Sequence, residues 1–325
     1  MRRGKLRASD RAIPRIKNRK SQIQNRMPLA VFPKCFLDAL CVTREMTVEQ
    51  WLELARQFDV DGHEFYSGFV PIDAPREWER LRNIVEGQNR VIPMMCHSPD
   101  FTKPTREGRR NELEQQKQVI RATAALGGHY CRVLSGQRRP EVSREHGMQW
   151  VKENILELIS FAETHRVALI LENHYKDGFW EYPEFAQKMD DFLELLSCIP
   201  ESPWFGVNYD PSNAIIAGDD PIRLLEAVKH RVLTMHASDR YFEGGTWEDL
   251  QRLEASPRTG YTNILKHGVI GRGLNDYDRI FSILRGAGFQ GWISIEDGPD
   301  PSTGVHDIAE SARFLRAKMK EHGLR

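Results

Sequence analysis

From about residue 28 the chain alternates short apolar runs with longer stretches whose apolar positions recur every three to four residues. Eight of the runs have the length and near-continuous apolarity of strands buried on both faces of a parallel sheet. They are LAVFPKCF (29–36), VDGHEFY (60–66), VIPMMCH (91–97), YCRVL (130–134), VALILEN (167–173), WFGVNYD (204–210), RVLTMHA (231–237) and GWISIED (291–297). Between them the helical period predicts helices over 47–59, 106–127, 143–166, 182–197, 219–230 and 276–288, with a last one near 304–322. Ser143 stands where an N-cap belongs, and Gly127–Gly128 and Gly286–Gly288 stand where helices stop.

Strands and helices alternating in this way predict a parallel sheet with helical crossovers. Eight strand–helix units in one chain of 325 residues favour closure into a (β/α)8 TIM barrel over an open doubly wound sheet. No G-x-G-x-x-G follows the first strand, so a dinucleotide-binding sheet has no support. Residues 28–325 are expected to form this single barrel domain. Two long connections, 238–269 and GVIGRGLND (268–276), follow the seventh strand. Long loops in a barrel usually belong to its catalytic face. GVIGRG lacks the K-[ST] of a phosphate loop and reads as a turn into the helix from about 276.

Charge divides the chain. Residues 1–27 hold ten Lys or Arg against Asp10 alone, a net +9, which leaves the body at −9 because the whole is neutral. The leader has no apolar core of a secretory signal. It reads as a disordered basic extension, or as sequence upstream of a start at Met27. The acidic body suits no phosphate backbone, so no nucleic-acid partner is expected. No apolar run nears the roughly 20 residues that span a bilayer, so no membrane partner is expected and a cytoplasmic protein is. The five cysteines are scattered without C-x-x-C spacing, which excludes a disulfide framework or zinc ribbon and suits buried thiols in a reducing compartment.

The last four strands each end on a residue able to bind a metal: Glu172 closes LILE, Asp210 closes VNYD, His236 closes LTMH and Glu296 closes ISIE. In a barrel the carboxyl ends of the strands converge on one mouth. Capping accounts for one acidic strand end, but three carboxylates buried together repel one another and cost desolvation. A divalent cation removes both penalties. Three carboxylates and one imidazole favour Mn²⁺, with Mg²⁺, Co²⁺ or Zn²⁺ as alternatives.

The set LILEN, VNYDPSN, HASDR, GVIGRG and GWISIEDG resembles the xylose isomerase-like superfamily of sugar isomerases and epimerases, over about residues 29–320. That group includes ketose 3-epimerases, hydroxypyruvate isomerase and inosose dehydratase. The resemblance implies that Glu172, Asp210, His236 and Glu296 hold one divalent metal ion and that Glu172 and Glu296 are also the acid/base pair. It implies isomerisation or epimerisation of a small-molecule carbohydrate through a metal-stabilised enediolate. The alternative is elimination from a keto-sugar, keto-glycoside or inosose, which shares the first proton abstraction. A homo-oligomer is left open. Where the epimerases and the apurinic-site endonucleases place a His three residues after the Asp, this chain has Asn213, which weakens the endonuclease reading and the case for further metals.

Five further residues are candidates for substrate contact. Asn213 can hydrogen-bond a hydroxyl, and Arg240 stands for the Arg that follows the His in epimerases, though closer to it than usual. His97 ends the third strand, Glu64 lies near the end of the second, and His174 follows Glu172 by two residues, where it lines the mouth or orients a ligand.

Overall fold

A computed structural model of the chain describes residues 26–296, 298 and 300–324. Most of the basic leader, residues 1–25, lies outside the described residues. The packed body begins just before the expected boundary at 28. Met27 is buried in the core, and Arg26 donates to Asp61 at 2.7 Å.

The strands are β1 (Leu29–Val31), β2 (Gly62–His63), β3 (Phe65–Tyr66), β4 (Met94–Cys96), β5 (Tyr130–Val133), β6 (Ala168–Glu172), β7 (Phe205–Tyr209), β8 (Val232–Ala237), β9 (Asp239–Phe242), β10 (Leu265–Gly268) and β11 (Trp292–Ile295). Nine of them form one parallel sheet in the order β2-β1-β11-β8-β7-β6-β5-β4-β3. Only Glu64 separates β2 from β3, so these are two halves of one barrel strand. The first half pairs with β1 (Val31↔His63) and the second with β4 (Phe65↔Met95), which joins the ends of the sheet. The result is the expected (β/α)8 barrel of eight strand positions.

The helices are α1 (Leu37–Cys41), α2 (Val48–Leu54), α3 (Pro75–Gly87), α4 (Arg106–Ala125), α5 (Arg144–His165), α6 (Met189–Ser197), α7 (Pro211–Ile216), α8 (Pro221–Val228), α9 (Trp247–Arg252), α10 (Tyr277–Gly286) and α11 (Gly304–Glu321). Their starts follow local chemistry. Ser143 caps α5 by accepting from His146 N, and Thr47 and Gln50 form a capping box on α2. Helix α3 adds to the expected set, with Trp78, Leu81 and Val85 burying one face at helical spacing.

Three departures shape the mouth. The first apolar run stops being a strand at Val31, because Pro33 has no N–H to give and the chain turns into Lys34–Phe36 and α1. The run expected as a helix from 182 begins only at Met189. Residues 182–186 bond outward instead, through Tyr182 N to Gln137, Glu184 N to Tyr175 O and Phe185 N to Gly136 O. The long 238–269 connection is a hairpin, with β9 pairing antiparallel to β10 and α9 between them.

Candidate metal centre

Glu172 is the last residue of β6, His236 lies one residue from the end of β8, and Asp210 and Glu296 directly follow β7 and β11. All four are buried, and one donor atom from each lies within 4.8 Å of the others. The geometry that strand ends promised is therefore present: four consecutive positions of the closed sheet aim at one point.

Each side chain is held from behind. His236 Nδ1 faces Glu172 Oε1 and Glu296 Oε2, both at 3.1 Å, while its Nε2 faces Glu64 Oε1 at 2.9 Å. Glu64 is fully buried at the break between β2 and β3, and Cys96 Sγ donates to the same Oε1. Asp210 caps α7, its Oδ1 accepting from Ser212 N (2.8 Å), Asn213 N (3.1 Å) and Ser238 Oγ (2.7 Å). Glu172 accepts from Arg132 Nη1 (2.8 Å) on one oxygen and Asn213 Nδ2 (3.1 Å) on the other. Lys34 Nζ donates to Glu296 Oε1 at 3.0 Å.

The electrostatics follow from this crowding. Burial alone would raise both glutamates, but His236 and Arg132 hold Glu172 down, to about 2, and Lys34 and His236 hold Glu296 well below the usual carboxylate range. Burial would lower His236, yet Glu64, Glu172 and Glu296 together hold its proton on far above the ordinary histidine range. Burial and the charges of Glu296 and Glu172 push Asp210 up to about 6. A protonated imidazole thus balances carboxylates that repel one another. A divalent cation does the same at closer range, so the donor set fits one: three hard carboxylates, and one imidazole whose far nitrogen is held by a carboxylate.

A family model described as the xylose isomerase-like TIM barrel matches residues 52–318. The chain belongs to that family. The inosose dehydratase of Bacillus thuringiensis (strain Al Hakam) is 22% identical over 177 residues, which cover 52% of this chain and 55% of that one. The chain spans about half the length of the curated relatives it matches. Among solved structures, a D-tagatose 3-epimerase-like protein aligns with a TM-score of 0.70 at 16% identity, covering 91% of this chain and 98% of that one. The IolI protein with a bound zinc atom aligns at 0.69 and 15%, covering 91% and 99%. At these identities the structures establish the family's fold, and that fold is this chain's.

Around this family's barrel mouth the five further candidates fall in different places. Asn213 reaches the centre, as a donor to Glu172. Glu64 meets His236 at Nε2, the ring nitrogen opposite the one that faces Glu172 and Glu296. His174 is turned aside, its Nδ1 3.2 Å from Glu184 Oε2 and its ring stacked on Tyr175. His97 bonds Ser67 Oγ through Nδ1 at 2.8 Å and lines a cavity of about 560 Å³ with Tyr66, Phe69, Asp177 and Trp180. Arg240 is buried beside the rings of Tyr261 and Tyr175.

Sequence reasoning passed over Lys34 and Arg132. Both interrupt apolar strand runs, in LAVFPKCF and YCRVL, and a charge inside such a run needs a partner. That was the available signal. Arg132 also donates to Ser98 Oγ and to the His97 carbonyl, which fixes its fork against Glu172.

Proposed function

We propose that this chain is a divalent-metal-dependent carbohydrate enzyme that moves a proton at the carbon beside a carbonyl, as an isomerase or epimerase. The observation that carries the reading is the convergence of Glu172, Asp210, His236 and Glu296 in one buried cluster at the barrel mouth. These residues would hold the ion, with Asp210 offering the oxygen that its cap does not use. The ion, Mn²⁺ by the donor set, would supply Lewis acidity toward a carbonyl oxygen.

The chain's own residues do the rest. Glu172 and Glu296 are the two carboxylates held ionised, and an ionised carboxylate can take a proton from carbon. Arg132 and Asn213 fix both oxygens of Glu172, so its aim is set before substrate arrives. Lys34 does the same for Glu296 from the other side. His236 is oriented by Glu64, which leaves Nδ1 directed at the cluster.

A second reading has its own support. The curated relatives that match are inosose dehydratases, and elimination of water begins with the same proton abstraction. Incubating the Mn²⁺-loaded protein with keto-sugars and an inosose in deuterium oxide separates the readings. Deuterium entering the position next to the carbonyl without loss of water supports isomerisation or epimerisation. Loss of water supports the dehydratase. The Glu172→Gln and Glu296→Gln variants should each lower the exchange rate by about 10²–10⁴-fold. Exchange that survives at full rate in both would sink the proposal.

A further inference from the structure

We propose that the substrate carries an anionic group, a carboxylate or a phosphate, received by Arg240 with Lys34 beside it. This deepens the reading above by naming the substrate's charge, and it rests on that reading for placing the substrate at the barrel mouth.

Arg240 is the second residue of β9 and one of the largest fully buried side chains in the molecule, at 1% exposure. Its Nε and Nη1 are buried without a hydrogen-bond partner among the described residues. The other buried arginines differ. Arg132 is paired with Glu172, and Arg90 donates to the carbonyls of Ala55, Arg56 and Phe58. The carboxylate next in sequence to Arg240 is committed elsewhere: Asp239 accepts from the backbone N–H groups of Arg240, Gly271, Gly273 and Asn275. What Arg240 has is aromatic faces, with its guanidinium 4.5 Å from the Tyr261 centroid and 5.9 Å from that of Tyr175. Cation–π contact offsets part of the cost of burying the charge and accepts none of its directed hydrogen bonds.

The strand that carries this guanidinium borders the centre. Lys34 contacts Glu296, and Arg240 pairs across the hairpin with His267, whose Cβ lies 3.4 Å from where a Cβ at Gly298, two residues past Glu296, would stand. A neutral sugar hydroxyl can accept a hydrogen bond from this guanidinium but cannot neutralise its buried charge. A carboxylate or phosphate does both, and its geometry matches the planar fork of arginine.

Isothermal titration of the Mn²⁺-loaded protein with D-fructose, D-fructose 6-phosphate and 5-keto-D-gluconate tests this. One of the two anionic probes should bind more tightly than fructose by at least about tenfold, the range of a charge-assisted hydrogen bond. Which one wins tells phosphate from carboxylate. Arg240→Gln should bring the ratio of anionic to neutral affinity to about one, and Arg240→Lys should keep part of it. Should Arg240→Gln fail to fold, as judged by its melting, Lys34→Gln must lower the same ratio. Equal affinities for all three probes, or no detectable binding of either anion, overturn the inference. So does a preference that survives in Arg240→Gln, since the anion would then be reading the ion alone. Binding is measured without turnover, so failure here leaves the proton-transfer reading standing. An intact preference with no deuterium exchange sinks that reading instead.

Discussion

Glu64 meets this centre through His236. Its place near a strand tip suggests a substrate contact, yet it is the hinge between two half-strands and its carboxylate meets His236 Nε2. A carboxylate in that position fixes the tautomer and raises the basicity of the imidazole, so Glu64→Gln should weaken Mn²⁺ binding by about 10–100-fold. Titration of the chelator-stripped variant checks this, and unchanged affinity would remove Glu64 from the site. At this scale the sequence was legible where position alone decides. Glu172, Asp210, His236 and Glu296 end successive strands, and strand ends must converge. It was illegible where the partner is distant in the chain. Nothing near Lys34 announces Glu296, 262 positions away, and nothing near Arg132 announces Glu172. Asp210 shows why capping does not exclude ligation, because the N–H groups of its cap use one oxygen and leave the other for the proposed ion.

Among the elements, the hairpin β9–β10 was the least readable. Its strands are short, and DRYF and LKHG show no clean apolar alternation, so the segment looked like a long loop. The Gly-rich GVIGRG that follows is part of the turn expected before the helix from about 276, and the structure says what its N–H groups bind. They close on the Asp239 carboxylate, and a Cβ at Gly273 would sit 2.3 Å from the Arg240 carbonyl oxygen. Asp239 therefore ties the turn before α10 to the strand that carries Arg240. Asp239→Ala leaves four backbone N–H groups without their acceptor, at about 1–3 kcal/mol for each that stays buried and unpaired. Chemical denaturation should show a loss of several kcal/mol, of that order, and a loss within 0.5 kcal/mol, roughly the range of an ordinary surface substitution, would contradict the assignment.

For the whole molecule, the eightfold alternation read along the chain is the barrel that forms, because a parallel strand must be buried on both faces and leaves an apolar run as its mark. No described helix is long and apolar enough to cross a membrane. What the chain pattern does not carry is the balance of charge inside the mouth, which joins residues from six strand positions. That balance has a pH signature. In the metal-free protein His236 and Asp210 both have raised pKa values, Asp210 to about 6, so each holds a proton more firmly than usual. The ion must displace these protons. Mn²⁺ affinity should therefore rise with pH across neutrality and fall steeply below about pH 6, and titrations at pH 5.5, 6.5 and 7.5 would show it.

The most direct test of the centre is the stoichiometry and affinity of Mn²⁺ on chelator-stripped protein at pH 7.5, measured beside His236→Ala and Asp210→Asn. The proposed site predicts one ion per chain, with affinity falling by at least about tenfold in each variant, since each removes a proposed ligand rather than its support. No bound ion, or one bound equally well by the native chain and both variants, would contradict the four-residue site.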